Sequence, residues 1–181
     1  MDQQIENNVA HGCIFALWSA IQGTCILQAG VKTQMITGQN LAEVVHAVLP
    51  TMMVALNDQN YAITSIASWQ RIITDDWTSR KKYIADTFDC DNFSDCFRAH
   101  AAELYNLNSA GMFHCSVSIN GGAAIGHRAV LICALDENDN PAIYCYESEN
   151  EAYVKVVLGQ PIKNTVFGET WAYTPLDSEW N

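Results

Sequence analysis

Apolar residues follow two different rhythms along the chain, and the change falls after its first half. Up to about residue 79 the intervals are helical. Ile14, Leu17, Trp18 and Ile21 lie three and four apart, which puts them on one helix face. Leu41, Ala42, Val44, Val45, Val48 and Leu49 follow the Thr37-Gly38 turn and stop at Pro50. A run from Met52 to Leu56 and another from Ala62 to Ile73 read as further helices. Asn57-Asp58-Gln59-Asn60 separates them and is a turn by composition. The clearest helix spans 88–105, where Cys90, Phe93, Phe97, Ala101 and Leu104 share one face. Asp86, Thr87 and Asp89 crowd its start, where capping and acidic side chains belong.

Beyond Gly111 the pattern becomes that of strands. Residues 113–119 (FHCSVSI) predict one strand, and Asn120-Gly121-Gly122 a turn. Residues 127–135 (HRAVLICAL) are apolar on both faces and predict a central strand. Asp136 to Pro141 predicts a hairpin loop, residues 142–147 the partner strand, and Ala152 to Leu158 another strand. Helices first and antiparallel strands second predict an α+β fold. Its parts are a helical segment over 1–68 and an α+β segment over 69–181, within one compact domain.

The apolar run Ile14–Val31 contains Ser19, Gln22, Gly23, Thr24 and Gln28 and is too polar at its centre for a membrane span, so it predicts a buried helix. Nine Lys and Arg against 20 Asp and Glu give a net charge of −11. Such a chain repels a phosphate backbone, and Arg80-Lys81-Lys82 is too small a basic cluster to bind nucleic acid alone. Cations, divalent metals included, suit it better than anions. The seven cysteines form no CxxC pair and lie mostly in apolar runs, which predicts reduced, structural thiols. The start MDQQIENN has no basic region and predicts no standard secretory leader, so the expected setting is cytoplasmic or particle-associated.

Three residues combine into a candidate catalytic site. Cys90 opens the 88–105 helix, where the helix dipole and unpaired N–H groups favour a thiolate nucleophile. His127 opens the central strand just after Gly126 and is placed to act as a base. Glu147 ends the partner strand near the level of His127, where a carboxylate can hold the imidazole tautomer. Asp89 and Asp91 flank Cys90. Their charge opposes a thiolate, and a calcium ion would neutralise it. Asp136 to Asn140 looks like part of a calcium loop but lacks the glycine and terminal glutamate at the required spacing, so it predicts a solvated turn. Neighbours in a strand face opposite ways, so His114 and Cys115 predict no shared metal.

The segments Phe88-Asp89-Cys90-Asp91-Asn92-Phe93, Gly126-His127-Arg128-Ala129-Val130 and Tyr146-Glu147-Ser148-Glu149 resemble the calcium-dependent, papain-like cysteine protease domain at the C-terminus of certain mushroom lectins. Related FDCDD-type segments occur in phage and bacterial proteins. The Cys-helix-then-His-strand order is shared with transglutaminase-like proteinases and, more distantly, with NlpC/P60 hydrolases. The resemblance covers about residues 69–150. It implies a papain-like Cys-helix packed on an antiparallel sheet, with a helical N-terminal extension. It implies Cys90 as nucleophile, His127 as base, Glu147 as third member, and calcium at Asp89 and Asp91, with Glu149 as a further carboxylate. The family tends to have an amide where Glu149 stands. Papain's upstream glutamine has no counterpart close to Cys90, since Gln70 is far away, so the oxyanion donors would be the Cys90 N–H and one other group.

The expectation that follows is a cysteine peptidase or amidase acting on peptide or protein substrates. Two alternatives accompany it. One is a catalytically inactive structural or interaction module, phage- or particle-associated, with residues 1–68 docking a protein partner or a second copy. The other is a pure calcium-binding protein.

Overall fold

Local signals start each helix. The computed structural model describes residues 31–180, and within it the first strand, β1 (Gln34–Thr37), runs straight into helix α1 (Gly38–Val48). Thr37 caps α1 by accepting the Asn40 N–H at 3.1 Å, and Leu41 and Val45 fill its buried face. Strands β2 (Met53–Leu56) and β3 (Asn60–Ile63) follow. Helix α2 (Ile66–Asp75) is capped by Ser65, which accepts the Ser68 N–H at 3.1 Å, and it buries Trp69, Ile72 and Ile73. Helix α3 (Cys90–Tyr105) starts at Asp89, whose N–H donates to Asn92 Oδ1 at 3.2 Å, and ends on Asn106 in the left-handed region. Phe93, Phe97 and Ala101 form its buried face, as their spacing predicts.

The remaining chain is strand: β4 (Ala110–Ile119), β5 (Ile125–Leu135), β6 (Pro141–Glu147), β7 (Ala152–Lys155), β8 (Ile162–Val166) and β9 (Glu169–Trp180). The larger sheet has the order β2-β9-β4-β5-β6-β7, with β8 also pairing β9, while β1 and β3 form a separate ribbon. One face of the large sheet buries Phe113, Cys115, Leu131, Cys133 and Cys145 against Ile36, Leu41, Val45 and Tyr61 from the ribbon and α1. Aromatic stacking joins α2 and α3 to β6: Trp69 meets Phe97 at 6.0 Å and Phe97 meets Tyr146 at 4.4 Å between ring centroids.

This corrects the expected α+β class with a papain-like helix on an antiparallel sheet and a helical N-terminal extension. Strands dominate the described residues, and the large sheet is mixed because β2 runs parallel to β9, pairing Met53 with Asp177 and Leu56 with Trp180. Met52–Leu56 is too short to choose between helix and strand by periodicity, and tertiary pairing makes it β2. The helix expected from Ala62 begins only at Ile66, because residues 60–63 pair with β1. The strand expected to run to Leu158 ends at Lys155. The Ile14 run, with Cys13 and Cys25, lies outside the described residues.

Candidate functional site

Strand register sets the site. His127 lies on β5 opposite Cys115 of β4. Tyr146 of β6 pairs with Val130 of β5, which brings Glu147 toward His127. Ser94 fastens the start of α3 to this sheet: its hydroxyl donates to the Cys90 carbonyl at 2.8 Å and lies 3.4 Å from the Arg128 carbonyl. Arg128 also pairs with Asp91 at 3.0 Å. The nucleophile candidate is therefore tied to the strand that carries the imidazole.

His127 Nε2 and Glu147 Oε2 are 2.7 Å apart. His127 is 9% exposed and Glu147 fully buried. The Tyr173 hydroxyl donates to the same carboxylate oxygen at 3.2 Å. Glu147 Oε1 has no hydrogen-bond partner among the described residues. Trp171 sets its ring edge-on to the imidazole at 5.4 Å. Cys90 lies near enough to the same imidazole to raise its pKa. With Nε2 taken by Glu147, Nδ1 is the ring nitrogen left for the thiol.

The electrostatics follow from burial and these partners. Burial alone would lower the His127 pKa. The hydrogen bond that Glu147 accepts, the neighbouring Cys90 and the charges on both overcome it, lifting His127 to about 10. Burial pushes the Glu149 carboxyl up to about 7, helped by Glu147 and Asp89 and opposed by His127. Burial also pushes the Cys115 thiol far up, with Glu147 and Cys90 adding to the effect. Asp89 and Asp91 share a side-chain hydrogen bond that holds Asp89 above and Asp91 below the ordinary carboxylate range.

Cys90, His127 and Glu147 thus converge, and Cys90 and His127 open onto a pocket of about 360 Å³ that Asp89, Asp91, His114, Gly126 and Leu176 also line. Among the described residues no group of three or more His, Cys, Asp or Glu side chains is placed to hold a metal ion. Protein donors already reach the carboxylates of Asp89 and Asp91. Asp91 accepts the Asn92 N–H at 2.9 Å and Arg128 at 3.0 Å, and Asp89 accepts the Asp86 N–H at 3.2 Å. Gln70 donates to the Tyr153 hydroxyl instead of serving the site. Two supporting residues escape sequence reasoning, Tyr173 and Ser94. Tyr173 shares a Trp-x-Tyr alternation with Trp171 that could have flagged a strand facing the site. Ser94 carries no sequence signal.

No known family model and no curated protein matches the chain. Two solved structures are similar to the chain in fold. One is described as a PSL1a-E64 complex, with 17% identity, TM-score 0.58, and coverage of 80% of this chain and 51% of that one. The other is the Polyporus squamosus lectin bound to the epitope Neu5Aca2-6Galb1-4GlcNAc, with 18% identity, TM-score 0.52, and coverage of 66% of this chain and 45% of that one. At these identities the likeness is one of fold, and this chain spans about half the length of each neighbour.

These findings overturn three expectations: membership of the FDCDD-type papain-like proteases, the peptidase or amidase activity with its peptide substrate, and the inactive papain-like module. The fold likeness is to a lectin, in a strand-dominated chain. The FDCDNF segment has a local explanation, since Asp89 and Asn92 serve the start of α3 and Phe88 and Phe93 stack edge to face at 4.8 Å. Among the described residues no helix is long and apolar enough to cross a membrane.

Proposed function

We propose that this domain carries a reactive-thiol site in which Cys90 is the nucleophile, His127 its proton partner and Glu147 the group that orients the imidazole. The observation that supports it most is the buried 2.7 Å His127–Glu147 contact beneath a half-buried thiol. An imidazole lifted to about 10 stays charged through neutral pH, and an imidazolium is the partner a thiolate needs. The thiolate adds to an unsaturated electrophilic carbon: the S–C bond forms as that carbon's π bond breaks, the π electron pair moves to the neighbouring atom, and the thiol proton held on His127 is returned there. Glu147, held by the Tyr173 hydroxyl, fixes the ring through Nε2 and leaves Nδ1 for the thiol.

The test is iodoacetamide labelling at about pH 6, read by peptide mass spectrometry. Cys90 is expected to label at least about tenfold faster than Cys96, the other half-buried thiol among the described residues, and His127→Ala to remove that advantage. E64, present in the similar PSL1a structure, is a second probe and is expected to protect Cys90 from iodoacetamide. If Cys90 labels no faster than Cys96 in the intact chain, the reactive-thiol reading is wrong.

A second reading is carbohydrate binding, favoured by the fold likeness to a lectin bound to a sialylated trisaccharide. Calorimetric titration with Neu5Aca2-6Galb1-4GlcNAc tests it, and absence of binding heat at millimolar ligand rejects it.

A further inference from the structure

Strand β9 departs from regular pairing beside the pocket. His114 pairs with Asp177 and Cys115 with Pro175, so one step on β4 spans two on β9. Leu176 is the extra residue of this β-bulge. Bulges next to functional sites re-aim a side chain, and this one puts Leu176 at the wall of the pocket that holds Cys90 and His127. Leu176 is 61% exposed, so its side chain is accessible to a molecule in the pocket. The wall around it is otherwise polar or charged: Asp89, Asp91, His114 and Arg128. Asp91 and Arg128 are paired to each other, and His114 to Asp177. Arg128 and Asp91 thus answer one another within the wall, and Leu176 is the large aliphatic surface it offers a ligand.

Gly126 keeps that surface accessible. It lines the same pocket, and a Cβ built there meets nothing within 4 Å. Its backbone is part of β5 and does not need glycine for a left-handed conformation. The missing side chain therefore leaves open space at that point of the pocket wall.

We propose that Leu176 is a specificity-determining residue of the Cys90 site, selecting ligands that carry an apolar substituent beside the carbon Cys90 attacks. This rests on the reactive-thiol reading. The ligand class is an electrophile bearing an aliphatic or aromatic group, which lies over Leu176 in the space that Gly126 leaves.

The experiment compares second-order labelling rates of Cys90 with N-methylmaleimide and N-cyclohexylmaleimide in the full chain, with glutathione as the reference thiol. The cyclohexyl-to-methyl rate ratio at Cys90 is expected to exceed that of glutathione by about tenfold. Leu176→Ser is expected to return it to the glutathione value while labelling by the methyl reagent stays fast. Gly126→Val, which a strand accommodates, is expected to slow the cyclohexyl reagent more than the methyl one. Thermal melts establish that both variants are folded. Fast labelling of Cys90 with a glutathione-like ratio, or a ratio that Leu176→Ser leaves intact, overturns the specificity role alone. Slow labelling by both reagents overturns the reactive-thiol reading itself.

Discussion

Glu147 and Glu149 stand two residues apart and meet different surroundings. Glu147 is fully buried and engages His127 and Tyr173. Glu149 is half-buried, faces the charges of Glu147 and Asp89, and has His127 as an opposing cation. Tyr83, on the loop before α3, feels Glu149 and Asp89 as well. Glu149 is therefore easier to protonate in the folded chain than in the unfolded one, at about 7 rather than 4.5. A raised acid contributes stability that is complete below its unfolded pKa and is lost as pH rises through its folded one. For Glu149 the loss falls between about 4.5 and 7. For His127, lifted from 6.5 to about 10, it falls higher. The melting temperature should fall from about pH 5 to about pH 8, and Glu149→Gln should flatten that fall by removing the lower part. Melts of both proteins at the two pH values check this. An equal fall in the variant would show that Glu149 does not carry the change.

At the scale of elements, β4 and β9 depend on one close approach. A Cβ at Gly111 of β4 would sit 2.6 Å from Trp180 Cε2. Trp180 is fully buried and its carbonyl accepts the Tyr61 hydroxyl at 3.2 Å, so the indole cannot simply swing aside. Gly111→Ala is expected to cost about 1–3 kcal/mol by overpacking, read as a lower urea midpoint with an unchanged slope. A neutral result would mean that Trp180 has room to shift. The sequence places Gly111 just before a strand but shows no reason for a glycine there, because the reason is a tryptophan 69 positions later. The same limit explains which elements were legible. α3, β5 and β6 carry long, consistent local patterns and lie where their spacing predicts. β2 and β3 are four residues each and owe their form to distant partners, Asp177 to Trp180 and β1 respectively. Cys90, His127 and Glu147 were legible because each stands at the end of a strongly patterned element. Tyr173 and Leu176 were not, since no strand was expected over 169–180 and a bulge appears only in the register.

The whole molecule is an acidic chain built around a mixed sheet, and its charge is a property the fold must tolerate. At a net charge of −11, self-repulsion disfavours the compact state. Local pairs relieve part of it: Lys155 with Asp136 at 2.9 Å, and Arg128 with Asp91 at 3.0 Å. Both involve exposed groups and are worth little individually, so diffuse repulsion should dominate the response to salt. Raising NaCl from about 0.1 M to about 1 M shortens the screening length from about 10 Å to about 3 Å. The melting temperature is therefore expected to rise. Calcium at matched ionic strength makes the measurement local as well as global. The oxygens of Asp89 and Asp91 are already engaged by Asp86, Asn92 and Arg128. Calcium should accordingly stabilise no more than matched NaCl does. A larger rise that Asp91→Asn abolishes would show instead that these carboxylates, with Glu149, rearrange to take the ion, since a ligand that binds only the folded state raises its stability by mass action. A melting temperature indifferent to NaCl would show that the paired cations already balance the field.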